Sequence, residues 1–119
     1  MILIRYILSL LKNKLNQSKS MEDITCEELK ARMQSGEAPL IIDVREAFEY
    51  DEFNIKAKLI PLGNLIASID ELPEDKSTEI ILHCRSGQRS AVAKEILLAQ
   101  GFINCRNLLG GMVQWQAQL

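Results

Sequence analysis

The sequence predicts an α/β fold, a single domain with a central parallel sheet flanked by helices on both faces. Short apolar runs, at residues 40–44 and 79–84, alternate along the chain with segments of helical spacing such as 90–100. These runs are continuously apolar until their ends, which is typical of parallel strands buried on both faces. The 119 residues, 47% of them hydrophobic, are sufficient for one core.

The elements follow one another from Thr25 to the end of the chain. Thr25 and Glu28 have capping-box spacing, which predicts a helix over 25–35 that ends at Gly36. We then expect strands over 40–44, 58–61, 79–84 and 105–108, of which 79–84 is central. Helices are expected between and after them: a short one over 46–52, one over 65–72 that ends before Pro73, one over 90–100 and a closing one over 112–118. Trp115 is expected to anchor the closing helix to the sheet. Parallel neighbours imply right-handed crossovers.

Residues 1–20 are predicted to form an amphipathic helical extension ahead of the domain at 21–119. Polar and apolar residues separate onto two helical faces: Arg5, Ser9, Lys12, Asn13 and Asn16 against Ile4, Ile7, Leu8, Leu11 and Leu15. The apolar run is too short to span a bilayer, and we find no small-residue cleavage site of a signal peptide. Three interpretations stay open: a helix docked on the domain, a weak membrane-surface helix, or a contact with a second copy or a partner.

Cys84 ends the central strand, at the sheet edge where α/β proteins bind ligands. It is followed by Arg85, Ser86, Gly87, Gln88, Arg89 and Ser90. The arginines and the N-terminus of the next helix favour a thiolate. Gly87 permits positive φ, so successive backbone N–H groups can turn toward one anion. The pattern therefore predicts a cradle for a negatively charged sulfur or for an oxyanion bound to it.

The loop HCRSGQRS at 83–90 resembles the active-site loop of the rhodanese family of single-domain sulfurtransferases. Three further segments resemble that family in the same order: LIIDVREAFEY at 40–50, KLIPLGNL at 58–65 and NLLGGMVQW at 107–115. The resemblance implies that Cys84 is catalytic, that residues 85–90 hold a persulfide, and that Asp43 and Arg45 form a buried ion pair ordering the neighbouring loops. It implies no metal and no organic cofactor.

The implied activity is the transfer of a sulfane sulfur from an anionic or persulfide donor, such as thiosulfate, to cyanide or a thiol. Cys84 would carry the sulfur as a persulfide between two half-reactions. A related family of dual-specificity phosphatases has five residues between its cysteine and arginine; the four between Cys84 and Arg89 favour sulfur over phosphate. The alternative is a non-catalytic rhodanese-like module, used for binding or redox sensing, that docks through its N-terminal helix.

Other residues allow two interpretations each. His83, the only histidine, is either a general base or, because strand alternation turns it away from Cys84, a packing residue. Arg89 either attracts the donor or bonds loop carbonyls and a carboxylate. The acidic residues of the second helix are predicted to be a solvated face: Glu46, Glu49, Asp51 and Glu52. Residues 53–57 are one residue short of the family pattern and lack its Gly, His and Pro-Gly, which alters a turn near the site.

Cysteine usage and charge bound the remaining properties. Cys26, in the first turn of a helix, and Cys105, in an apolar stretch, form no CxxC pair and no metal-ligand spacing. Three cysteines indicate a reducing compartment, and we expect a cytoplasmic monomer. The net charge of −2 makes nucleic acid an unsuitable partner.

Overall fold

The computed structural model describes residues 3–5, 7–8 and 22–118. In this part of the chain the sheet has four parallel strands: β1 (Leu40–Asp43), β2 (Lys58–Leu59), β3 (Ile80–His83) and β4 (Cys105–Asn107). They lie side by side in the order β2-β1-β3-β4. Their register sets Asp43 beside His83 and Leu82 beside Asn107. The carboxyl ends of β1, β3 and β4 therefore meet at one edge of the sheet.

Within residues 22–118, four α-helices and two 3₁₀ turns precede, connect and follow the strands. The helices are α1 (Cys26–Gln34), α2 (Ala47–Glu52), α3 (Gln88–Ala99) and α4 (Gly111–Ala117). Thr25 caps α1, since its hydroxyl accepts a hydrogen bond from the backbone N–H of Glu28 at 3.1 Å. β2 is shorter than predicted and ends at Leu59. The next residue, Ile60, is buried in the core. Pro61 follows, and because its ring nitrogen has no N–H it cannot continue the hydrogen-bond ladder of the strand.

The segment predicted to be helical over 65–72 is helical, but of the 3₁₀ type rather than an α-helix. The chain there forms 3₁₀ turns at Leu62–Asn64 and Ile66–Glu71. Its bonds span three residues, as from the N–H of Leu72 to the carbonyl of Ile69 at 3.0 Å. The segment is short and Pro73 disfavours α geometry at the residue before it, so a regular α-helix gains too few bonds to form.

Helices cover both faces of the sheet, as the sequence predicts. One face packs against α3 and the 3₁₀ turns, with Ala93, Leu97 and Leu65 at 0% exposure. The other face packs against α1 and α4, whose Leu29 and Trp115 contribute to a second apolar cluster. Ile42 and Leu82 belong to the first cluster and Ile41 and Ile81 to the second, which confirms strands buried on both sides.

The N-terminal extension is described only at residues 3–5 and 7–8, which are helical. Leu3, Ile4, Ile7 and Leu8 are 46–68% exposed, so these four apolar side chains are largely in contact with solvent. The rest of the predicted amphipathic pattern lies outside the described residues. No helix in the described part of the chain is long and apolar enough to cross a membrane.

Candidate active site

The Cys84 thiol lies at the bottom of a tight loop between β3 and α3. The backbone N–H of Gly87 points at its Sγ from 3.1 Å, and that of Ser90 from 3.4 Å. The Ser90 hydroxyl oxygen is 3.3 Å from the same sulfur. α3 begins at Gln88, two residues before the predicted start, because Gly87 takes a φ of 104° and serves as its N-cap. This early start directs the N–H of the N-cap Gly87 and that of Ser90, in the first turn, at the sulfur.

The three cysteines differ in acidity. Burial opposes ionisation of Cys84, but the hydrogen bonds that the backbone N–H groups of Ser90, Gly87 and Ser86 donate to its sulfur favour the thiolate, and its pKa is lowered. Burial raises the pKa of Cys26, and it raises the pKa of Cys105 to about 11. The loop therefore singles out Cys84 as the thiol most readily ionised.

The N-terminus of α4 holds the outer side of the loop. The N–H of Met112 donates to the Cys84 carbonyl at 3.0 Å, and the N–H of Val113 donates to the Arg85 carbonyl at 2.9 Å. A side chain at Gly111 would have its Cβ 2.5 Å from the Cys84 carbonyl oxygen. The second glycine of the Gly110-Gly111 pair is thus required for close approach of α4 to the Cys84 loop.

Arg89 and Glu49 form a bidentate ion pair between α3 and α2. The guanidinium donates to both carboxylate oxygens, at 2.6 and 2.9 Å. This corrects the prediction that Glu49 belongs to a solvated face, since its side chain is only 15% exposed. The Arg89 hydrogen bond lowers the pKa of Glu49 to about 2. Glu46, Asp51 and Glu52 are exposed, as expected. For Arg89 the structure supports the carboxylate-bonding interpretation.

Asp43 and Arg45 are a buried ion pair, 0% and 5% exposed at their side chains, with 2.8 Å between Arg45 Nη2 and Asp43 Oδ2. The same guanidinium donates to the Phe53 carbonyl at 2.7 Å and to the Glu49 carbonyl at 3.3 Å. Arg45 therefore ties the end of β1 to α2 and to the segment that follows it, which gives the pair a structural role beside the loop.

The shortened segment 53–57 closes into a turn without the family's glycines and proline. Lys56 takes a φ of 62°, and its N–H donates to the Asn54 side chain at 2.9 Å. The Asn54 amide in turn donates to the Tyr50 carbonyl, and the Tyr50 hydroxyl donates to the Ala57 carbonyl. These side-chain bonds to backbone replace the geometry that glycine and proline would supply.

His83 is fully buried on the side of the strand opposite Cys84, where Asp43 also lies. Its Nε2 is 3.7 Å from Asp43 Oδ2, and neither ring nitrogen has a hydrogen-bond partner among the described residues. Burial lowers the pKa of His83 to about 4, so it is neutral at pH 7. This placement supports packing rather than general-base chemistry at the thiol.

A groove of about 770 Å³ opens beside the loop. It is lined by Arg45, Phe48, Glu49, Glu52, Phe53, Arg85, Arg89, Met112, Val113 and Gln116. Phe48 and Val113 are 65% and 53% exposed, so the rim is partly apolar. Arg85 is exposed, and no ion pair holds it within the described part of the chain. Arg85 is therefore the loop cation left available to an incoming anion.

Two residues that complete the site, Glu49 and Asn107, were not identified as its partners from the sequence. Glu49 was recognisable as a helix N-terminal residue from its capping-box spacing with Glu46, but its partner lies 40 residues away. Asn107, the last residue of β4, accepts a hydrogen bond from the Ser90 hydroxyl at 2.6 Å. Its only signal in the sequence was a polar side chain within the strand predicted over 105–108.

The fold and the site define a class of α/β proteins in which a parallel strand delivers a cysteine into a ring of backbone N–H groups. The family model for the rhodanese-like domain matches residues 25–118, and the chain belongs to this family. The resemblance seen in the loop and in the three flanking segments is thereby confirmed.

Individual relatives agree. A protein of Allochromatium vinosum named sulfurtransferase is 31% identical over 96 residues, which cover 80% of this chain and 88% of that one. The crystal structure of a rhodanese-like domain protein from Staphylococcus aureus has a TM-score of 0.72 at 33% identity, covering 80% of this chain and 91% of that one. By contrast, the putative sulfur carrier protein YrkF of Bacillus subtilis is a longer protein. It is 36% identical to this chain over 99 residues, which cover 82% of this chain but only 52% of YrkF.

Proposed function

We propose that this protein is a sulfurtransferase that moves a sulfane sulfur from a donor such as thiosulfate to cyanide or a thiol through a persulfide on Cys84. The observation that carries the proposal is the convergence of the Gly87 and Ser90 N–H groups on the Cys84 sulfur. Preorganised donors of this kind stabilise a sulfur anion without reorganising during the reaction. The family name and the sulfurtransferase of Allochromatium vinosum support the same chemistry.

In the first half-reaction the Cys84 thiolate attacks the outer sulfur of thiosulfate. A bond forms between Sγ and that sulfur, the sulfur–sulfur bond of thiosulfate breaks, and sulfite leaves with the bonding electrons. In the second half-reaction cyanide or a thiolate attacks the outer sulfur of the persulfide, and the thiolate of Cys84 returns. Each step is a displacement at sulfur, so no external oxidant is needed, and the kinetics are ping-pong.

Arg85 is the loop residue suited to bring the donor to the thiol. Its charge faces the groove, while the charge of Arg89 is largely balanced by Glu49. Attraction of an anion by an exposed cation is screened by salt. We therefore propose that Arg85 increases the capture of anionic donors and that Arg89 maintains the shape of the loop.

The experiment is mass spectrometry of the intact protein after brief exposure to thiosulfate. We expect a gain of one sulfur that is lost when cyanide is added. Cys84→Ser should show no gain, whereas Cys105→Ser, which removes an equally buried thiol remote from the loop, should gain sulfur like the wild type. A Cys84→Ser protein that still gains a cyanide-labile sulfur would contradict the proposal.

A failure with thiosulfate, repeated with a polysulfide donor, would favour the binding or redox-sensing module. The observation behind that second candidate is the exposure of Leu3, Ile4, Ile7 and Leu8, an apolar set available to a partner. We also propose that the protein works in the reducing cytoplasm, since its three cysteines are all free.

A further inference from the structure

Asn107 links the two ends of the catalytic loop from a neighbouring strand. Its side-chain Nδ2 donates to the Gly87 carbonyl at 3.1 Å, and its Oδ1 accepts from the Ser90 hydroxyl at 2.6 Å. The residue is 8% exposed. Its contacts therefore lie in the interior, where hydrogen-bond direction is strongly constrained.

The orientation of the Asn107 amide follows from its partners. A backbone carbonyl only accepts hydrogen bonds, so the NH₂ group must face Gly87 and the oxygen must face Ser90. An amide oxygen also only accepts. The single proton of the Ser90 hydroxyl is consequently directed at Asn107.

This direction determines what Ser90 offers to Cys84. With its proton on Asn107, Ser90 Oγ presents only lone pairs to the sulfur 3.3 Å away. A neutral thiol satisfies that arrangement by donating its own proton. A thiolate does not, because Ser90 can serve it as a donor only by breaking the bond to Asn107.

The persulfide state, which rests on the function proposed above, needs no such break. Once the outer sulfur is attached, Sγ has no proton and the negative charge resides mainly on the outer atom. Ser90 can then keep its bond to Asn107 while the N–H groups of Gly87 and Ser90 face the sulfur. The free thiolate is the one state of Cys84 that competes with Asn107 for the serine proton.

We propose that Asn107 is a positioning residue that directs the Ser90 hydroxyl proton away from Cys84 and so disfavours the free thiolate relative to the thiol and the persulfide. The effect opposes the backbone N–H groups, which favour the thiolate. It would protect the unloaded enzyme from side reactions of a free thiolate at some cost in the rate of attack on the donor.

Charged groups around the pair do not supply this effect. Arg89 attracts a thiolate but is bound to Glu49. Asp23 Oδ1 accepts from the backbone N–H of Asn107 at 2.9 Å and from Lys94 at 2.7 Å. Because that contact uses the backbone, a substitution of the Asn107 side chain leaves it in place.

The test is the pH profile of alkylation of Cys84 in the wild type, Asn107→Leu, Ser90→Ala and the double variant. Asn107→Leu removes the acceptor and frees the serine proton for the thiolate, so the profile should move to lower pH and the rate below its midpoint should rise about threefold or more. In the Ser90→Ala background the same substitution should change nothing, since the effect passes through Ser90.

A profile that moves to higher pH, stays in place, or moves equally in the Ser90→Ala background would overturn the proposal. If Asn107→Leu does not fold, Asn107→Val also removes the acceptor, leaves no room for a water that could accept the Ser90 proton, and tests the same direction. The titration uses no sulfur donor, so its outcome is separate from that of the persulfide experiment. Wild-type protein that forms a persulfide but shows no Asn107 effect would refute only the positioning role.

Discussion

Arg89 and Glu49 join the Cys84 loop to the helix that follows β1. The two terminal guanidinium nitrogens of Arg89, Nη1 and Nη2, donate to the Glu49 carboxylate oxygens at 2.6 and 2.9 Å. The two residues are 40 positions apart in the sequence. Arg89 lies in the first turn of α3, one residue before the Ser90 N–H that faces the thiol. The pair therefore ties the position of that turn to α2, and the shape of the thiol cradle depends on a carboxylate outside it.

Glu49→Gln is expected to weaken both the loop and the fold. It removes the charge of a bidentate pair that is partly screened by solvent, so the free energy of unfolding should fall by about 1 kcal/mol and sulfur transfer by roughly tenfold. Glu52→Gln is the matched control, because Glu52 lines the same groove on the same helix but is exposed. Urea unfolding and initial transfer rates are the measurements, and equal losses in the two variants would contradict the role of Glu49.

The same pair has a defined pH dependence. The pKa of Glu49 is lowered from 4.5 to about 2, so its carboxylate is more acidic in the folded chain than in the unfolded one. The stabilisation is fully present above pH 4.5 and is lost as the pH falls toward 2. The difference in unfolding free energy between the wild type and Glu49→Gln should shrink over that window and stay constant above it.

Local patterns predicted the strands, the loop and the N-cap of α1, because each is determined by residues close in sequence. Thr25 caps α1 through a contact with its own neighbour, and Gly87 takes the positive φ that the loop was expected to need. Glu49 was misread because a surface acid and a paired acid look the same when the partner is 40 residues away. Asn107 was missed for the same reason, since Ser90 lies 17 residues before it on another element.

Alkylation should separate the three cysteines by acidity rather than by exposure. Cys26, Cys84 and Cys105 are 2%, 1% and 0% exposed, so access does not distinguish them. The pKa of Cys84 is lowered while burial raises the pKa of the other two. Iodoacetamide followed by peptide mass spectrometry at pH 7 should therefore label Cys84 first, by about tenfold or more. Equal labelling of all three in folded protein would count against an anion-stabilising loop.

His83 should make the fold sensitive to mild acid. Burial lowers its pKa from 6.5 to about 4, so the unfolded chain binds a proton that the folded chain excludes between these values. Stability is unaffected above pH 6.5 and should fall by up to about 3 kcal/mol as the pH drops toward 4. His83→Leu should remove this slope with little loss at pH 7, since the ring nitrogens have no partner among the described residues. His83 is the only histidine in the chain. If the loss of stability between pH 6.5 and 4 persists in His83→Leu, it therefore does not come from a histidine and the prediction is wrong.

Gly111→Ala, compared with a control glycine, should show whether the close approach of α4 to the Cys84 loop matters for stability and sulfur loading beyond the cost of a left-handed backbone. The new Cβ would lie 2.5 and 2.6 Å from the carbonyl oxygens of Cys84 and Arg85, so α4 or the loop must move. We expect a loss of about 2–3 kcal/mol in unfolding free energy and a strong fall in persulfide formation.

Gly36→Ala is the control for that substitution. Gly36 also has a positive φ, of 77°, but nothing lies within 4 Å of a Cβ there, so it reports only the cost of the left-handed backbone, about 1 kcal/mol. It lies at the end of α1, away from the loop, and should leave persulfide formation unchanged. If the two variants lose stability equally and both retain persulfide formation, the bonds from Met112 and Val113 to the loop carbonyls do not control the site. If only Gly111→Ala loses sulfur loading, the close approach of α4 holds the carbonyls of Cys84 and Arg85 outward and leaves the N–H groups to the sulfur.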